Sequence, residues 1–336
     1  MTHDRASQVV INGRFMGRRV TGVERYGREI LRCLGNQPKL ESTHWQGWRG
    51  HTWEQFMLPI RLHRNSVLWS PANTGPLIVR RQALTIHDLS PLEHPEWFRT
   101  GFAVWYRLLL PMLVRRVQII FTPSEYVKQK VIDRFGARKV IITPNGVDHS
   151  LFHPKADQTQ FDLPQEYLLF VGTLEPRKNL ARLLQTWNEV KNDFKKMWLM
   201  IVGVSGSVFK AINVPHELER ICFLGYVNDE TLAGLYAAAS LFVLPSQDEG
   251  FGLPALEAMA SGTPVIVSDA GALPEVVGEA GVTFCLSDQN ALTNVLQDSL
   301  RNAELRAQLR EKGLERAKKF SWQTTAEIVW KSLNER

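Results

Sequence analysis

The segment EGFGLPALEAMASGTPV, residues 249–265, restricts the folds that are open to this chain. Glycine and proline stand between its two glutamates, Glu249 and Glu257, so one helix cannot run through both, and we expect Glu249 on a loop. Pro254 suits the first position of a helix, where its missing N–H would be unpaired anyway, and Gly262 favours the end of that helix. The apolar run before the segment, LFVLPS, predicts a buried parallel strand. The predicted order is strand, glycine loop, helix and strand.

A glycine loop that leads into a helix N-terminus is suited to binding an anion. Unpaired backbone N–H groups and the positive end of the helix dipole meet there, and glycines let a ligand approach the backbone. The two glutamates cannot bind phosphate, but their carboxylates can accept hydrogen bonds from hydroxyl groups. A nucleotide-sugar, with a diphosphate between two hydroxyl-rich ends, satisfies both requirements.

The E-x7-E spacing, together with EGFGLP and EAMASGTPV, resembles the signature of retaining glycosyltransferases of family 4. The resemblance implies an α/β GT-B fold, with two doubly wound Rossmann-like domains facing across a cleft. It also implies that Glu249 contacts the donor sugar and Glu257 the ribose. The alternative interpretation is two surface glutamates beside a tight turn. By the same resemblance, the neighbouring positions Gly250, Phe251, Gly252 and Leu253 would bind the donor.

A second stretch, GTLEPRKN at residues 172–179, follows the predicted strand 167–171. Arg177 supplies a bidentate fork and Lys178 a point charge, a pair suited to a diphosphate. In the wider family an arginine usually follows the glycine directly, where this chain has Thr173, so we expect Arg177 to take that role. A solvated basic turn is the alternative. The resemblance adds four donor-binding positions: Gly172, Thr173, Tyr226 and Val227.

The first half of the chain contributes two further candidates. A strand at residues 9–11 leads through a glycine-containing loop to TGVERY, and the resemblance places Gly22 near the donor phosphates. The apolar run 84–89 predicts a strand that ends in His87 and Asp88, and a ligand of an open α/β sheet lies beyond such strand ends. The resemblance puts His87 close to the reacting centre. A turn glycine and a histidine that merely ends a strand are the alternatives.

Charge is distributed unevenly over a chain whose net charge is +6. Residues 1–155 contain 23 Lys and Arg against 11 Asp and Glu, whereas residues 156–336 contain 17 against 23. We therefore predict an acceptor-binding Rossmann-like domain at 1–155 and a nucleotide-sugar-binding one at 156–320, joined by a linker at about 149–164. A last segment, 321–336, would cross back to the first domain. The basic half could face an anionic membrane or an acidic acceptor; no nucleic-acid-binding motif is present.

The segment WFRTGFAVWYRLLLPMLVRRV, residues 97–117, predicts an aromatic amphipathic helix flanked by arginines. It could lie in a membrane interface or could simply cover a sheet, with its arginines in water. No apolar run reaches the ~18 residues of a spanning helix, and the start of the sequence lacks the apolar core of a signal peptide. Three widely spaced cysteines suggest a reducing compartment. We therefore expect a cytoplasmic protein, with peripheral contact at the inner membrane face left open.

The resemblance implies transfer of a sugar from a nucleotide-sugar, with retention of anomeric configuration. Arg177 and Lys178 would stabilise the leaving diphosphate, Glu249 would orient the sugar, and His87 would lie near the anomeric carbon. No D-x-D triad occurs, so we expect no metal and no cofactor besides the co-substrate. The GTLEPRKN stretch resembles mannosyl-transferring enzymes of bacterial surface-polysaccharide assembly, which favours GDP-mannose and a lipid-linked or oligosaccharide acceptor. A GT-B nucleotide-sugar epimerase and a non-catalytic nucleotide-sugar-binding protein are the alternatives.

Overall fold

The computed structural model describes residues 8–18, 20–157, 163–204, 208–209 and 219–335. The chain forms two compact units. The first comprises Met1–Glu93, Gly101–Gly146 and Ser321–Arg336, and the second comprises His94–Thr100 and Val147–Phe320. The domain boundaries inferred from the sequence stay predictions, and residues 158–162 of the predicted linker lie outside the described residues.

The first unit contains a six-stranded parallel sheet in the order β2-β1-β3-β4-β5-β6. Its strands are β1 Val9–Asn12, β2 Lys39–Glu41, β3 Val67–Ser70, β4 Gln82–Thr85, β5 Ile119–Thr122 and β6 Val140–Ile142. Its helices are α1 Gly22–Leu34, α2 Gly47–Thr52, α3 Leu58–Ile60, α4 Ser90–Glu93, α5 Thr100–Val114, α6 Glu125–Phe135 and, at the end of the chain, α13 Trp322–Asn334.

The second unit contains another six-stranded parallel sheet, in the order β12-β11-β10-β7-β8-β9. Its strands are β7 Glu166–Val171, β8 Met197–Val202, β9 Ile221–Gly225, β10 Leu241–Leu244, β11 Val265–Ser268 and β12 Val282–Phe284. Its helices are α7 Leu180–Val190, α8 Asp229–Ala238, α9 Leu253–Ala260, α10 Leu273–Val277, α11 Ala291–Arg301 and α12 Ala303–Ala317.

Both sheets reverse their winding direction at one point. In the first unit the chain builds outward to opposite sides of the β1–β3 pair, and in the second unit to opposite sides of the β7–β10 pair. At such a reversal the loops beyond the strand ends diverge and leave a crevice, which is where open α/β sheets bind ligands. The doubly wound α/β fold predicted for each half is confirmed.

Tyr26 of α1 is the centre of the aromatic core of the first unit. Its side chain is fully buried and makes edge contacts with the rings of Trp69, His87 and Trp322, at centroid distances of 6.3, 4.9 and 6.1 Å. Its hydroxyl donates to Thr143 Oγ1 at 2.8 Å. Since Trp322 begins α13, these contacts fix the last helix against α1, and the two helices pack along their lengths.

Two local predictions need correction, and one helical stretch was not predicted. The strand predicted at 84–89 ends at Thr85, because the backbone N–H of His87 donates to Asn73 Oδ1 at 2.7 Å and the chain leaves the ladder. The helix after the glycine loop begins at Leu253, one residue before Pro254. Residues 36–80, which lack a regular apolar period, include a helical stretch from 47 to 60 whose middle turn, Trp53–Met57, is a π-helix. That wider turn shifts the apolar positions and hides the 3.6-residue period.

Within the described ranges, no helix is both long enough and apolar enough to cross a bilayer.

Candidate functional site

A buried ion-pair cluster lies at the winding reversal of the second sheet. Glu249 is on the loop after β10, whereas Arg177 and Lys178 end the short turn Pro176–Lys178 after β7. Glu249 Oε1 is paired with Lys178 Nζ and accepts a hydrogen bond from Ser246 Oγ at 3.0 Å. Glu249 Oε2 accepts from Arg177 Nη1 at 3.1 Å. The structure thus brings together three of the four predicted catalytic residues.

Backbone contacts explain why these two loops meet. Strands β7 and β10 are hydrogen-bonded neighbours and run parallel, so their carboxyl ends share one edge of the sheet. The N–H of Gln247 donates to the carbonyl of Arg177 at 2.7 Å and ties the loops together. At the end of β8, a Cβ on Gly203 would lie 1.8 Å from the carbonyl oxygen of Gly172, so only glycine permits this approach.

Arg177 also binds a second buried carboxylate, Glu175, which the sequence interpretation missed. Its Nε and Nη2 donate to Glu175 Oε1 at 3.1 and 2.7 Å, and its Nη1 donates to the carbonyl of Asp248 at 3.0 Å. Glu175 is 1% exposed. The sequence contained one signal for Glu175, because this residue lies two positions before Arg177 in a turn between a strand and a helix. We refer to Glu175, Arg177, Lys178, Ser246 and Glu249 as the Glu249 cluster.

The charges of the Glu249 cluster shift its carboxyl groups in opposite directions. Burial alone would raise the pKa of Glu249, but Lys178 and Arg177 outweigh burial and hold that pKa at about 2. Burial raises the pKa of Glu175, and the positive charges of Arg177 and Lys178 only partly oppose this rise. Glu249 is therefore ionised at any physiological pH. Glu175 therefore binds a proton more readily than Glu249 does. Protonation of Glu175 would make the net charge of the cluster more positive.

Glu257 occupies a separate position in the same unit. It lies on α9, is 4% exposed, and accepts a hydrogen bond from the hydroxyl of Tyr236 at 3.2 Å. Tyr236, on α8, is fully buried and was not among the predicted residues. Nothing in the local pattern around Tyr236 distinguishes it from a core tyrosine. Of the two glutamates of the sequence signature, Glu249 is thus paired with two cations, and Glu257 accepts from a tyrosine hydroxyl.

A glycine outside the sequence signature fixes the backbone of Glu249. Gly271 has φ of +63°, and a Cβ there would lie 2.3 Å from the carbonyl oxygen of Glu249 and 2.5 Å from its nitrogen. The next residue, Ala272, donates its N–H to the same carbonyl at 2.8 Å. The loop after β11 therefore clamps the loop after β10 through contacts that need glycine at 271.

The other predicted donor-binding residues are distributed over three segments of the second unit. Gly172 lies beside the alkyl chain of Lys178, and the half-buried Thr173 follows it. Tyr226, 55% exposed, and the half-buried Val227 follow β9. The buried Gly250, Phe251 and Gly252 connect the Glu249 cluster to α9, whose first residue is Leu253. The contacts of all these residues with a donor stay predictions.

Two predicted residues, Gly22 and His87, belong to the first unit. Gly22 is the first residue of α1, and a Cβ there would meet no atom within 4 Å. His87 is 6% exposed and its Nε2 lies 2.8 Å from the carbonyl oxygen of Pro71, so Nε2 bears the proton. Burial lowers its pKa to about 4, opposed by that hydrogen bond. The imidazole is therefore neutral near pH 7 and is suited to hydrogen bonding rather than to acid catalysis.

No group of three or more metal-ligating side chains occurs among the residues that the structure describes. The expectation of a reaction without a metal or cofactor stays a prediction.

Comparisons with known sequences agree with this architecture. The family described as "Glycosyl transferases group 1" matches residues 153–316, and "Glycosyltransferase Family 4" matches residues 63–151. The O-antigen chain mannosyltransferase B of Escherichia coli is 31% identical over 79% of this chain and 73% of its own. The O-antigen chain mannosyltransferase RfbU of Salmonella typhimurium is 31% identical over 73% of this chain and 69% of its own.

Solved structures show the same fold. The Anabaena protein HepE, determined with UDP and glucose, has a TM-score of 0.76 at 16% identity and covers 98% of this chain and all of its own. WaaG, a glycosyltransferase involved in lipopolysaccharide biosynthesis, has a TM-score of 0.74 at 16% identity over 97% of this chain and 99% of its own. Fold and site define a glycosyltransferase of the GT-B class. The chain belongs to glycosyltransferase family 4.

Replacing Gly271 by alanine should disturb the Glu249 loop. The added Cβ would overlap the Glu249 backbone, whereas at Gly136, whose φ of +64° and ψ of +30° are left-handed helical, such a Cβ would meet no atom within 4 Å. Gly136→Ala should lower the free energy of unfolding by about 1 kcal/mol, the effect of a left-handed backbone alone. Gly271→Ala should lower it by at least about 2 kcal/mol more, because its Cβ would overlap backbone atoms. Urea unfolding of both variants measures the difference, and equal losses would contradict the clamp.

Glu249→Gln should destabilise the protein in a pH-dependent way. At pH 7 the loss should be about 3 kcal/mol, since the buried Lys178 loses its charged partner and Arg177 loses one of two. The folded pKa of about 2 lies below the ordinary value of 4.5, so the stability due to this carboxylate is complete above about pH 4.5 and disappears as pH falls toward 2. Urea unfolding from pH 7 to pH 3 should show the two proteins converging; a constant difference would refute the ion-pair account.

Proposed function

We propose that the chain transfers a mannosyl group from a nucleotide-sugar, GDP-mannose in the first instance, to a growing bacterial surface glycan, with retention of anomeric configuration. The observation that supports it most is the Glu249 cluster, which holds two buried cations at the winding reversal of a doubly wound sheet. The names of two relatives, both O-antigen chain mannosyltransferases, support the sugar and the class of product.

Lys178 is the group we assign to the leaving diphosphate. As the bond from the anomeric carbon to the phosphate oxygen breaks, negative charge grows on that oxygen, and a preformed cation stabilises it without rearrangement. The N–H groups of Arg177 already donate to Glu175, Glu249 and a carbonyl. An ammonium has three donors and Lys178 has one hydrogen bond to Glu249. Arg177 would then act mainly by fixing Glu249.

The environment of Glu249 favours a front-face reaction. A double displacement would need a carboxylate nucleophile, but both oxygens of Glu249 accept strong hydrogen bonds, and a pKa of about 2 makes the group weakly nucleophilic. In the front-face route the acceptor oxygen bonds to the anomeric carbon on the side that the diphosphate leaves, and the acceptor proton passes to the leaving phosphate oxygen. Glu249 would orient a sugar hydroxyl instead.

Glu257 and the start of α9 supply the remaining donor contacts in this proposal. A carboxylate offers about four acceptor sites, so Glu257, oriented by the Tyr236 hydroxyl, can also accept hydrogen bonds from ribose hydroxyls. Backbone N–H groups at Gly252 and Leu253 are suited to the diphosphate, because Gly252 caps the helix with φ of +98° and has no side chain to block approach.

We further propose that the first unit contacts an anionic membrane, where a lipid-linked acceptor at the cytoplasmic face would be available. Helix α5 exposes an apolar stripe, Val104, Leu108 and Met112, at 48%, 61% and 44%. The exposed Arg107 lies on the same face, three residues after Val104, and the exposed Arg115 directly follows the last residue of α5, three residues after Met112. Apolar side chains can enter the headgroup region while guanidinium groups pair with lipid phosphates.

Lys178→Ala should lower turnover at least a hundredfold with GDP-mannose, because the leaving diphosphate loses its cation. The deficit should shrink with a dinitrophenyl mannoside, whose leaving group needs less stabilisation. Product formation, measured by nucleotide release and by glycan mass, gives both rates.

Lys191→Ala is the matched control, since that lysine is paired with Glu219, whose side chain is exposed. It should retain normal turnover. Near-normal turnover of Lys178→Ala, or an equal loss with both donors, would remove the leaving-group role.

Arg107→Glu combined with Arg115→Glu should weaken binding to vesicles of phosphatidylglycerol and phosphatidylcholine by roughly tenfold or more, since each basic residue near such a surface contributes about 1 kcal/mol. Co-sedimentation measures the bound fraction. Arg134→Glu with Arg138→Glu makes the same change in net charge at exposed positions elsewhere in the first unit and should have a small effect. Equal losses would show non-specific charge attraction and contradict the α5 surface.

A further inference from the structure

A second buried polar cluster lies at the winding reversal of the first sheet, and the proposed donor chemistry does not use it. Its centre is Glu54, 1% exposed. Glu54 Oε1 accepts hydrogen bonds from Asn12 Nδ2 at 2.7 Å, Arg14 Nε at 3.0 Å and Thr74 Oγ1 at 3.1 Å. Asn12 ends β1, and Thr74 follows β3, so the cluster stands where a doubly wound sheet binds ligands.

Three aromatic rings pack together beside Glu54. The centroids of Trp48 and Trp105 are 5.4 Å apart, those of His51 and Trp105 are 5.2 Å apart, and those of Trp48 and His51 are 5.9 Å apart. Trp48 is 60% exposed, whereas the His51 side chain is 11% exposed. A tryptophan held by two ring neighbours and yet open to water presents a rigid apolar face to a ligand.

Buried polar atoms around these rings are short of hydrogen-bond partners within the described residues. Trp105 Nε1 has none, and His51 Nδ1 and Glu54 Oε2 have only a long contact of 3.6 Å with each other. Arg14 Nη1 is 3.5 Å from His51 Nε2. Because arginine can only donate, Nε2 accepts and the ring proton is on Nδ1. Leaving such buried groups unpaired costs free energy, so they mark a place where a polar ligand or water completes the bonding.

We propose that Trp48, His51 and Trp105 form a subsite for one neutral pyranose ring of the acceptor glycan. This inference rests on the proposed function and assigns the side chains that select its acceptor. A pyranose has an apolar C–H face that can stack on Trp48, and hydroxyl groups that can bond to the indole N–H and to the carboxylate. A lipid chain would leave those buried groups unpaired, and the ion pair of Glu54 with Arg14 leaves no net charge there to attract an anion.

The test is saturation-transfer NMR on the full chain with methyl α-D-mannopyranoside, and with glycerol as a hydroxylated ligand that has no ring. The wild type should transfer saturation to the mannoside and not to glycerol. Trp48→Ala should reduce the transfer at least tenfold. Trp105→Phe keeps a ring but removes the N–H, and should weaken binding severalfold. Trp198→Ala, in the second unit and 37% exposed, is the matched control and should leave it unchanged.

Nucleotide binding to the same samples separates the two proposals. Trp48→Ala and Trp105→Phe should bind GDP-mannose as the wild type does, and with an acceptor glycan should raise its KM while the donor KM stays within twofold. The subsite is refuted if the wild type shows no transfer to the mannoside, if Trp48→Ala retains it, or if Trp198→Ala loses it equally. Refutation with intact donor binding would leave the proposed function standing.

Discussion

The second unit depends on one buried carboxylate held between two cations. Glu249 receives Lys178 and Ser246 on one oxygen and Arg177 on the other, in a region nearly closed to water. Removing Glu249 leaves the buried Lys178 without its counterpart, which is far more unfavourable than never having buried the group. The arrangement fixes two loops from neighbouring strands in one geometry. It also holds Lys178 preformed at the sheet edge, which is the condition for stabilising a developing negative charge without reorganisation.

Much of the fold was predictable from the sequence because parallel strands buried on both faces produce short apolar runs such as LFVLPS. Glycine and proline residues then locate the loops, and residues 249–252 form a loop that ends at the first residue of α9, as expected for Glu249. The helical stretch 47–60 was missed because its π-turn removes the regular period, and its exposed Trp48 and Phe56 lie outside any core pattern. The end of β4 was missed because the His87 N–H bonds to the side-chain amide of Asn73 and not to a neighbouring strand. A pattern of apolar residues carries no information about such a side-chain hydrogen bond.

The candidate site, too, was predictable from the sequence only in part. Arg177, Lys178 and Glu249 were predicted from two separate motifs, and their direct contact follows from the pairing of β7 with β10. Glu175, Tyr236 and Gly271 were missed because each acts through a tertiary contact. Glu175 binds Arg177, Tyr236 directs Glu257, and Gly271 supports the backbone of Glu249. Residues of this kind have ordinary local surroundings, and only the three-dimensional neighbour shows why a particular side chain is needed.

The central claim is that the Glu249 cluster belongs to a nucleotide-sugar site, and thermal unfolding with a panel of GDP-, UDP-, ADP- and dTDP-sugars tests it most directly. A ligand at 100 times its Kd stabilises a folded protein by about 2.7 kcal/mol, which is a readily measured shift. The account predicts that GDP-mannose raises the wild-type midpoint, that sugars of the other bases raise it less, and that the shift is lost in Lys178→Ala. A panel in which no nucleotide-sugar shifts the midpoint, or in which Lys178→Ala shifts as the wild type does, would contradict it.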